Sequence, residues 1–130
     1  MPSAFQWHIE PAAWKSEIDG PVVVSSGARN DYFHDPATGA QVASAPCALM
    51  DIDEPSFIFS SEVLLSASET FDARVLFVRA STDLWAKFCL ELSPTHQPTI
   101  VSVVTRGVFD DCNSIALESA HVHLRVAKTP

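Results

Sequence analysis

The alternation of residue types between Leu84 and Leu92 constrains this sequence most. Four odd positions of the segment carry Trp85, Lys87, Cys89 and Glu91, while the even positions are apolar throughout. Because successive side chains of a strand point to opposite faces, this segment predicts a strand with one apolar face and one functionalised face. A turn containing two prolines follows it, and the β-branched run 99–106 completes a predicted β-hairpin.

Short segments of strand character recur along the rest of the chain. They are residues 5–9, 22–25, 48–52, 57–66, 73–80 and 120–127, with a weaker one at 114–118. Residues 11–20 and 28–46 are rich in polar residues, Gly and Pro, so we interpret them as irregular connections. No window keeps a helical period. About eight short strands predict an all-β protein, an antiparallel β-sandwich or jelly roll, with Leu84, Phe88 and Leu90 buried between its sheets.

Length and charge limit the functional classes. The 130 residues fit one domain, and the formal net charge is −8. Nucleic acids and anionic membranes both require clustered Lys and Arg, so this charge argues against either as a main partner. We therefore expect a single domain spanning residues 1–130, without nucleic acid, membrane or cofactor.

Cysteine usage and the N-terminal residues bear on location. The N-terminus has no cationic start followed by an apolar stretch, which argues against a secretory signal. No apolar run approaches the roughly 20 residues needed to cross a bilayer. The three cysteines, Cys47, Cys89 and Cys112, are widely spaced and form no CxxC pair. We expect free thiols in a cytoplasmic protein.

Several motifs, in a fixed order, carry a family resemblance. The strongest are W-A-K-F-C-L-E at 85–91 and V-V-T-R at 103–106, with weaker ones at 5–10, 31–36, 45–49 and 122–125. In these motifs the chain resembles the regulation-of-enolase family of concanavalin A-like proteins. Two departures are Phe33, where the family is expected to have Trp, and the segment 109–114, which lacks an aromatic residue expected near its centre.

The resemblance implies a concanavalin A-like jelly roll with a concave sheet and supplies no established activity. Members of the family usually continue beyond the strand at 122–125. The resemblance therefore implies that this domain lacks its last strands, with one side of strand 120–127 left unpaired. A missing C-terminal segment or another chain would be the partner for that side.

The functionalised strand face is the main candidate site. An aromatic ring beside paired hydrogen-bonding groups suits a neutral polar ligand, because sugars are held by stacking and directed hydrogen bonds. Thr105 or Arg106 on the next strand could join, and alternation alone leaves open which one does. We expect Trp85, Lys87, Glu91 and Arg106 to line the concave sheet, with Asp31, Phe33 and His34 at its rim. The competing interpretation is a solvated face with a Lys–Glu pair and a partly buried Trp.

These residues predict a binding protein for a carbohydrate-like or other small polar ligand, or for a protein partner. The alternative is a small-molecule enzyme, a cyclase, isomerase or hydrolase, in which His34 and nearby carboxylates transfer protons. Turn formation competes with that role, because Asp35 precedes a proline. His121 and His123 share a strand face but lack an evident third ligand, so we expect no metal site.

Overall fold

A computed structural model describes residues 2–130 of this protein. Within that range the regular elements are all β-strands, and every strand pairing is antiparallel. The chain divides into two compact units, one ending at Asp53 and one running from Glu54 to Pro130. The all-β prediction is confirmed, and the single-domain expectation stays a prediction.

The first unit is built from short strands in three antiparallel pairs. The strands are β1 (Gln6–Ile9), β2 (Ala13–Ser16), β3 (Val22–Ser25), β4 (Tyr32–His34), β5 (Gln41–Ala43) and β6 (Cys47–Leu49). β1 pairs with β6, β2 with β3, and β4 with β5.

Three of these strands contradict the sequence interpretation. β2 lies in the segment expected to be a polar connection, and β4 and β5 lie in the segment expected to be irregular. In β2, Trp14 packs edge-on against Trp7, with ring centroids 5.5 Å apart. In β4, Tyr32 and His34 are buried on either side of the half-buried Phe33. Packing of a few large side chains therefore overrides the turn-forming composition.

The second unit holds the longer strands. They are β7 (Phe57–Leu64), β8 (Ala73–Arg79), β9 (Leu84–Leu92), β10 (Pro98–Arg106), β11 (Val108–Ala116) and β12 (His121–Lys128). Four of them form a sheet in the order β11-β10-β9-β8, and β12 pairs with β7. The β7–β12 pair contacts the larger sheet through β8 and β9. These two antiparallel layers form the β-sandwich that the strand pattern predicts.

β11 is longer than the sequence predicts. The residue pattern predicts only a weak strand at 114–118, whereas β11 spans Val108–Ala116. It contains Asp110, Asp111 and Asn113, residue types that are depleted in strands. Pairing with β10 along most of its length holds it in place. The turn into it uses Gly107 at φ +75°, a left-handed conformation that glycine adopts without steric cost.

The four-stranded sheet has two faces, which we name after residues of β9. Trp85, Lys87, Cys89 and Glu91 define the Trp85 face, and Leu84, Ala86, Phe88 and Leu90 define the Leu90 face. Burial on the Leu90 face is uneven, since Leu90 is 0% exposed and Leu84 is 44% exposed. The expectation that Leu84, Phe88 and Leu90 are all core residues is confirmed for Leu90 and wrong for Leu84; Phe88 is half-buried.

β12 has one open edge. It pairs with β7 along its whole length, and no other strand of residues 2–130 pairs with it. The expectation that the domain lacks its last strands stays a prediction. Coverage of that edge by another segment or chain stays a prediction.

Candidate functional site

The Trp85 face brings together four of the predicted site residues. The register of β9 and β10 places Thr105 opposite Trp85, Thr99 opposite Glu91, and Val103 opposite Lys87. Residues directly opposite each other in an antiparallel pair share a face. Thr105 is therefore the residue of β10 that joins Trp85, Lys87 and Glu91.

Arg106 lies on the other face of the sheet. It is exposed and pairs with Leu84, which belongs to the Leu90 face. The expected grouping of Arg106 with Trp85 is therefore wrong. The physical reason is the strand geometry, which sends adjacent residues of β10 to opposite faces.

The Trp85 side chain is buried. It is 2% exposed, and its ring lies 5.7 Å from the Phe77 ring, centroid to centroid. The Lys87 Nζ lies 5.8 Å from the Trp85 ring centroid and 5.6 Å from that of Phe109, so the ammonium is held by cation–π contacts. The Trp85 ring is thus not exposed for stacking on a ligand, contrary to the role expected from the sequence.

Thr105 presents an unusual polar group in this face. Its side chain is 0% exposed, and its Oγ1 has no hydrogen-bond partner among residues 2–130. Thr99, on the same face, is also buried, but its Oγ1 donates a hydrogen bond to the Gln97 carbonyl oxygen at 3.1 Å. The two threonines differ in whether their hydroxyls are satisfied.

We expect Thr105→Val to raise the free energy of unfolding by about 1–2 kcal/mol, because it removes a buried hydroxyl that lacks a partner. The matched change Thr99→Val should lower it by about 1 kcal/mol, because it breaks a hydrogen bond. Urea denaturation of the three proteins measures both effects. A loss of stability in Thr105→Val equal to that in Thr99→Val would show that the Thr105 hydroxyl is bonded in solution.

Glu91, unlike Trp85, borders open space. A groove of about 290 Å³ lies beside the β9–β10 turn, and we call it the hairpin groove. Phe71, Glu91, Gln97, Thr99, Asp111 and Asn113 are among the residues that line it. It offers carboxylate, amide and hydroxyl groups to a ligand.

Phe71 is the aromatic residue of the hairpin groove. It is 66% exposed and has φ +72°, a left-handed conformation that is unfavourable for a bulky residue. Its backbone N–H donates to the Leu92 carbonyl oxygen at 2.8 Å, which places Phe71 beside the end of β9 that carries Glu91. Sequence reasoning missed this residue, because an isolated aromatic between two strands belongs to no alternating pattern.

Hydrogen bonds within the β9–β10 turn form one wall of the hairpin groove. The Ser93 N–H donates to the Gln97 carbonyl oxygen at 3.0 Å, and the Gln97 N–H donates to Ser93 Oγ at 3.2 Å. Ser93 Oγ also lies 2.9 Å from Thr95 Oγ1. These contacts fix the position of the turn, so this wall is preorganised.

The predicted rim residues belong to the first unit, where turn formation dominates. Asp31 Oδ1 accepts a hydrogen bond from the Tyr32 N–H at 2.7 Å. Asp35 accepts one from the Thr38 hydroxyl at 2.5 Å and one from the Ala37 N–H at 2.8 Å, and these bonds hold the pKa of Asp35 below its usual value. A carboxylate engaged in this way is a weaker base, which counts against the enzyme alternative.

His34 and Phe33 lie next to this turn in β4. His34 is 3% exposed and Phe33 is half-buried. A buried imidazole is poorly accessible to a substrate in solution. The placement of Asp31, Phe33 and His34 at the rim of the sheet stays a prediction.

A pair of histidines shares one glutamate on the β7–β12 pair. His121 Nε2 lies 2.5 Å from Glu62 Oε1, and His123 Nε2 lies 3.9 Å from Glu62 Oε2, with all three side chains exposed. Among residues 2–130, no group of three or more His, Cys, Asp and Glu side chains is arranged to hold a metal ion. Cys47, Cys89 and Cys112 form no disulfide bond among the described residues. No helix in the same range is long and apolar enough to span a membrane.

Comparison with known proteins identifies the family. A family model described as "Protein of unknown function (DUF1349)" matches residues 7–130. The chain belongs to this family. The DUF1349 fold is concanavalin A-like, so the predicted fold class is confirmed. The regulation-of-enolase resemblance is not confirmed at that level of detail.

One solved structure resembles this DUF1349 protein. It is described as the crystal structure of a functionally unknown protein from Saccharomyces cerevisiae, with a TM-score of 0.82 and 20% sequence identity. The match covers 98% of this chain and 68% of the yeast chain. At this identity the likeness supports the fold alone. A search of curated proteins found no match.

Proposed function

We propose that this DUF1349 protein is a binding protein that takes a small polar, carbohydrate-like ligand in the hairpin groove. One observation carries the proposal: the exposed Phe71 ring borders a groove with hydrogen-bonding groups. Stacking on an aromatic ring combined with directed hydrogen bonds is a general way to hold a sugar ring.

The dimensions and polarity of the groove agree with such a ligand. Its volume of about 290 Å³ is close to the lower end of the roughly 300–1,000 Å³ typical of small-molecule sites, so a monosaccharide-sized ligand suits it. Gln97 and Asn113 each supply an amide that can donate and accept, and Glu91 supplies acceptors. A polyhydroxylated ligand needs this mixture of donors and acceptors.

The left-handed conformation of Phe71 adds support. Keeping a bulky residue there costs on the order of 1 kcal/mol relative to glycine. An exposed ring recovers little of this cost by burial within its own chain. A ligand that covers the ring would bury apolar surface and so favour the folded state.

Substitution of Phe71 tests the proposal. We expect Phe71→Gly to abolish ligand binding while changing the free energy of unfolding by less than about 1 kcal/mol, because glycine relieves the strain but loosens the unfolded chain. Binding is measured by NMR titration and calorimetry with a panel of monosaccharides, polyols and their amino derivatives. Ile58→Ala is the control, since Ile58 is 71% exposed on β7 and does not line the groove.

Unchanged binding by Phe71→Gly would place the ligand elsewhere, and an absence of binding to the whole panel would overturn the proposal. In that second outcome, a protein partner remains as the alternative occupant of the same groove. Membership of the regulation-of-enolase group and a cytoplasmic location are also proposals. The order of the motifs supports the first, and cysteines that form no disulfide among the described residues support the second.

A further inference from the structure

A second groove lies on the β7–β12 pair, and it shares no lining residue with the hairpin groove. Its volume is about 410 Å³, and we call it the β7–β12 groove. The register places Arg125 opposite Ser60 and His123 opposite Glu62. Residues that stand opposite each other in an antiparallel pair share a face, so these four side chains project from one face. The lining consists of Ser60, Ser61, Glu62, His123, Leu124 and Arg125.

Arg125 and Ser60 have polar groups that no other residue uses. Both residues are exposed, and neither side chain forms a hydrogen bond or an ion pair with any residue that the structure describes. A guanidinium offers five N–H donors in a planar fork, and a hydroxyl both donates and accepts. Because the two residues are cross-strand neighbours, both can donate to the same anion.

The carboxylate of the β7–β12 groove makes its close contacts with imidazoles. Glu62 Oε1 lies 2.5 Å from His121 Nε2, and Glu62 Oε2 lies 3.9 Å from His123 Nε2. No ion pair joins Glu62 to Arg125, although the two residues lie on facing strands. The Arg125 guanidinium is therefore left for an anion from outside the described chain.

The local charge differs from the charge of the whole chain. The formal net charge is −8, yet this groove and its border hold one Arg and two His against one Glu. An acidic protein has no general attraction for anions, so this cluster indicates a local site. Nucleic acids and anionic membranes require clustered Lys and Arg over a wider surface. A small anion fits the cluster better than either of them.

We propose that the β7–β12 groove binds a phosphate group, free or carried by a small molecule, with donors from Arg125, Ser60 and His123. The Arg125 fork would bind two oxygens of the phosphate, and the hydroxyl and the imidazole would bind others. Donors from two strands suit a tetrahedral anion with several oxygens better than a planar carboxylate. The site lies outside the hairpin groove, so the proposal goes beyond the proposed function and does not depend on it.

NMR titrations with inorganic phosphate and with glucose 6-phosphate test the proposal at constant pH and ionic strength. We expect saturable shifts of the backbone amide signals of residues 60–62 and 123–125 with both ligands. Acetate should bind at least about threefold more weakly than phosphate, because it offers fewer oxygens to the three donors. Tighter binding of glucose 6-phosphate would support a phosphorylated small molecule as the ligand, and equal binding would support phosphate itself. The absence of saturable shifts with both phosphates, or equal affinity for acetate, would overturn the proposal.

Two arginine variants locate the effect. Arg125→Gln should weaken phosphate binding by at least about tenfold, because it removes hydrogen bonds to a charged group. Arg125→Lys should recover part of this loss, since it keeps the charge but not the planar fork. Arg106→Gln is the matched control, because Arg106 is exposed and does not line the groove. Equal weakening in Arg125→Gln and Arg106→Gln would show a general effect of net charge and would overturn the proposal.

The Phe71→Gly protein separates this site from the hairpin groove. It should bind phosphate with unchanged affinity, because Phe71 does not line the β7–β12 groove. Loss of phosphate binding in Phe71→Gly, with binding retained in Arg125→Gln, would place the anion in the hairpin groove and overturn the proposal. Failure of the sugar panel to bind would leave this second site untouched.

Discussion

Trp85→Ala should lower the free energy of unfolding by about 3–5 kcal/mol, the range for removing a fully buried Trp side chain. The Trp85 side chain is 2% exposed, and its ring contacts Phe77 and supports the Lys87 ammonium. The change therefore leaves a cavity and also removes a cation–π partner. This expectation reverses the one that alternation suggests, in which the ring faces a ligand and contributes little to stability.

Urea denaturation measures the effect, with Phe109→Ala as a comparison. Phe109 is half-buried and contacts the same ammonium. Phe109→Ala should therefore lower the free energy of unfolding by less than Trp85→Ala does. Ligand titration of the Trp85→Ala protein below its unfolding transition adds a second readout. A loss of less than about 1 kcal/mol, together with loss of ligand binding, would return Trp85 to the binding site.

Leu90→Ala should also be strongly destabilising, by about 2–5 kcal/mol. Leu90 is 0% exposed on the Leu90 face of β9. The chain offers a matched control six residues earlier, since Leu84 is on the same face of the same strand and is 44% exposed. Leu84→Ala should change the free energy of unfolding by less than about 1 kcal/mol, because little packed volume is lost.

The difference between the two leucine variants is the informative quantity, because residue type, strand and face are the same. Denaturant titration of both proteins with a common slope gives it directly. Equal losses would mean that the face is covered evenly in solution. That result would contradict the uneven burial from Leu84 to Leu90.

The fold class could be predicted because strand alternation is a local property of the sequence. The limits of β9 follow from its own residues, and β3, β8 and β10 follow almost as closely. β11 could not be predicted in full, because Asp110 and Asp111 have low strand propensity and only the register with β10 holds them there. β4 could not be predicted either, because its segment is rich in turn-forming residues and the sequence gives no sign that Tyr32 and His34 are buried.

The candidate site was less predictable than the fold. Alternation places Trp85, Lys87 and Glu91 on one face, but it does not say which parts of that face are covered. Burial removes Trp85 from solvent, whereas Glu91 borders a groove. The choice between Thr105 and Arg106 depends on the register, and Phe71 depends on a left-handed turn. None of these properties has a signature in one sequence.

The open edge of β12 has a consequence for how copies of this protein meet in concentrated solution. An exposed strand edge is a template for adding a second strand, and two identical edges can pair with each other. The outward side chains of β12 include His121, His123 and Arg125. In an antiparallel pair of two such edges centred on Leu124, Arg125 of each copy would stand opposite His123 of the other. Each such pair would set a guanidinium against an imidazole and not against a carboxylate, so it would add no ion pair to self-association along this edge.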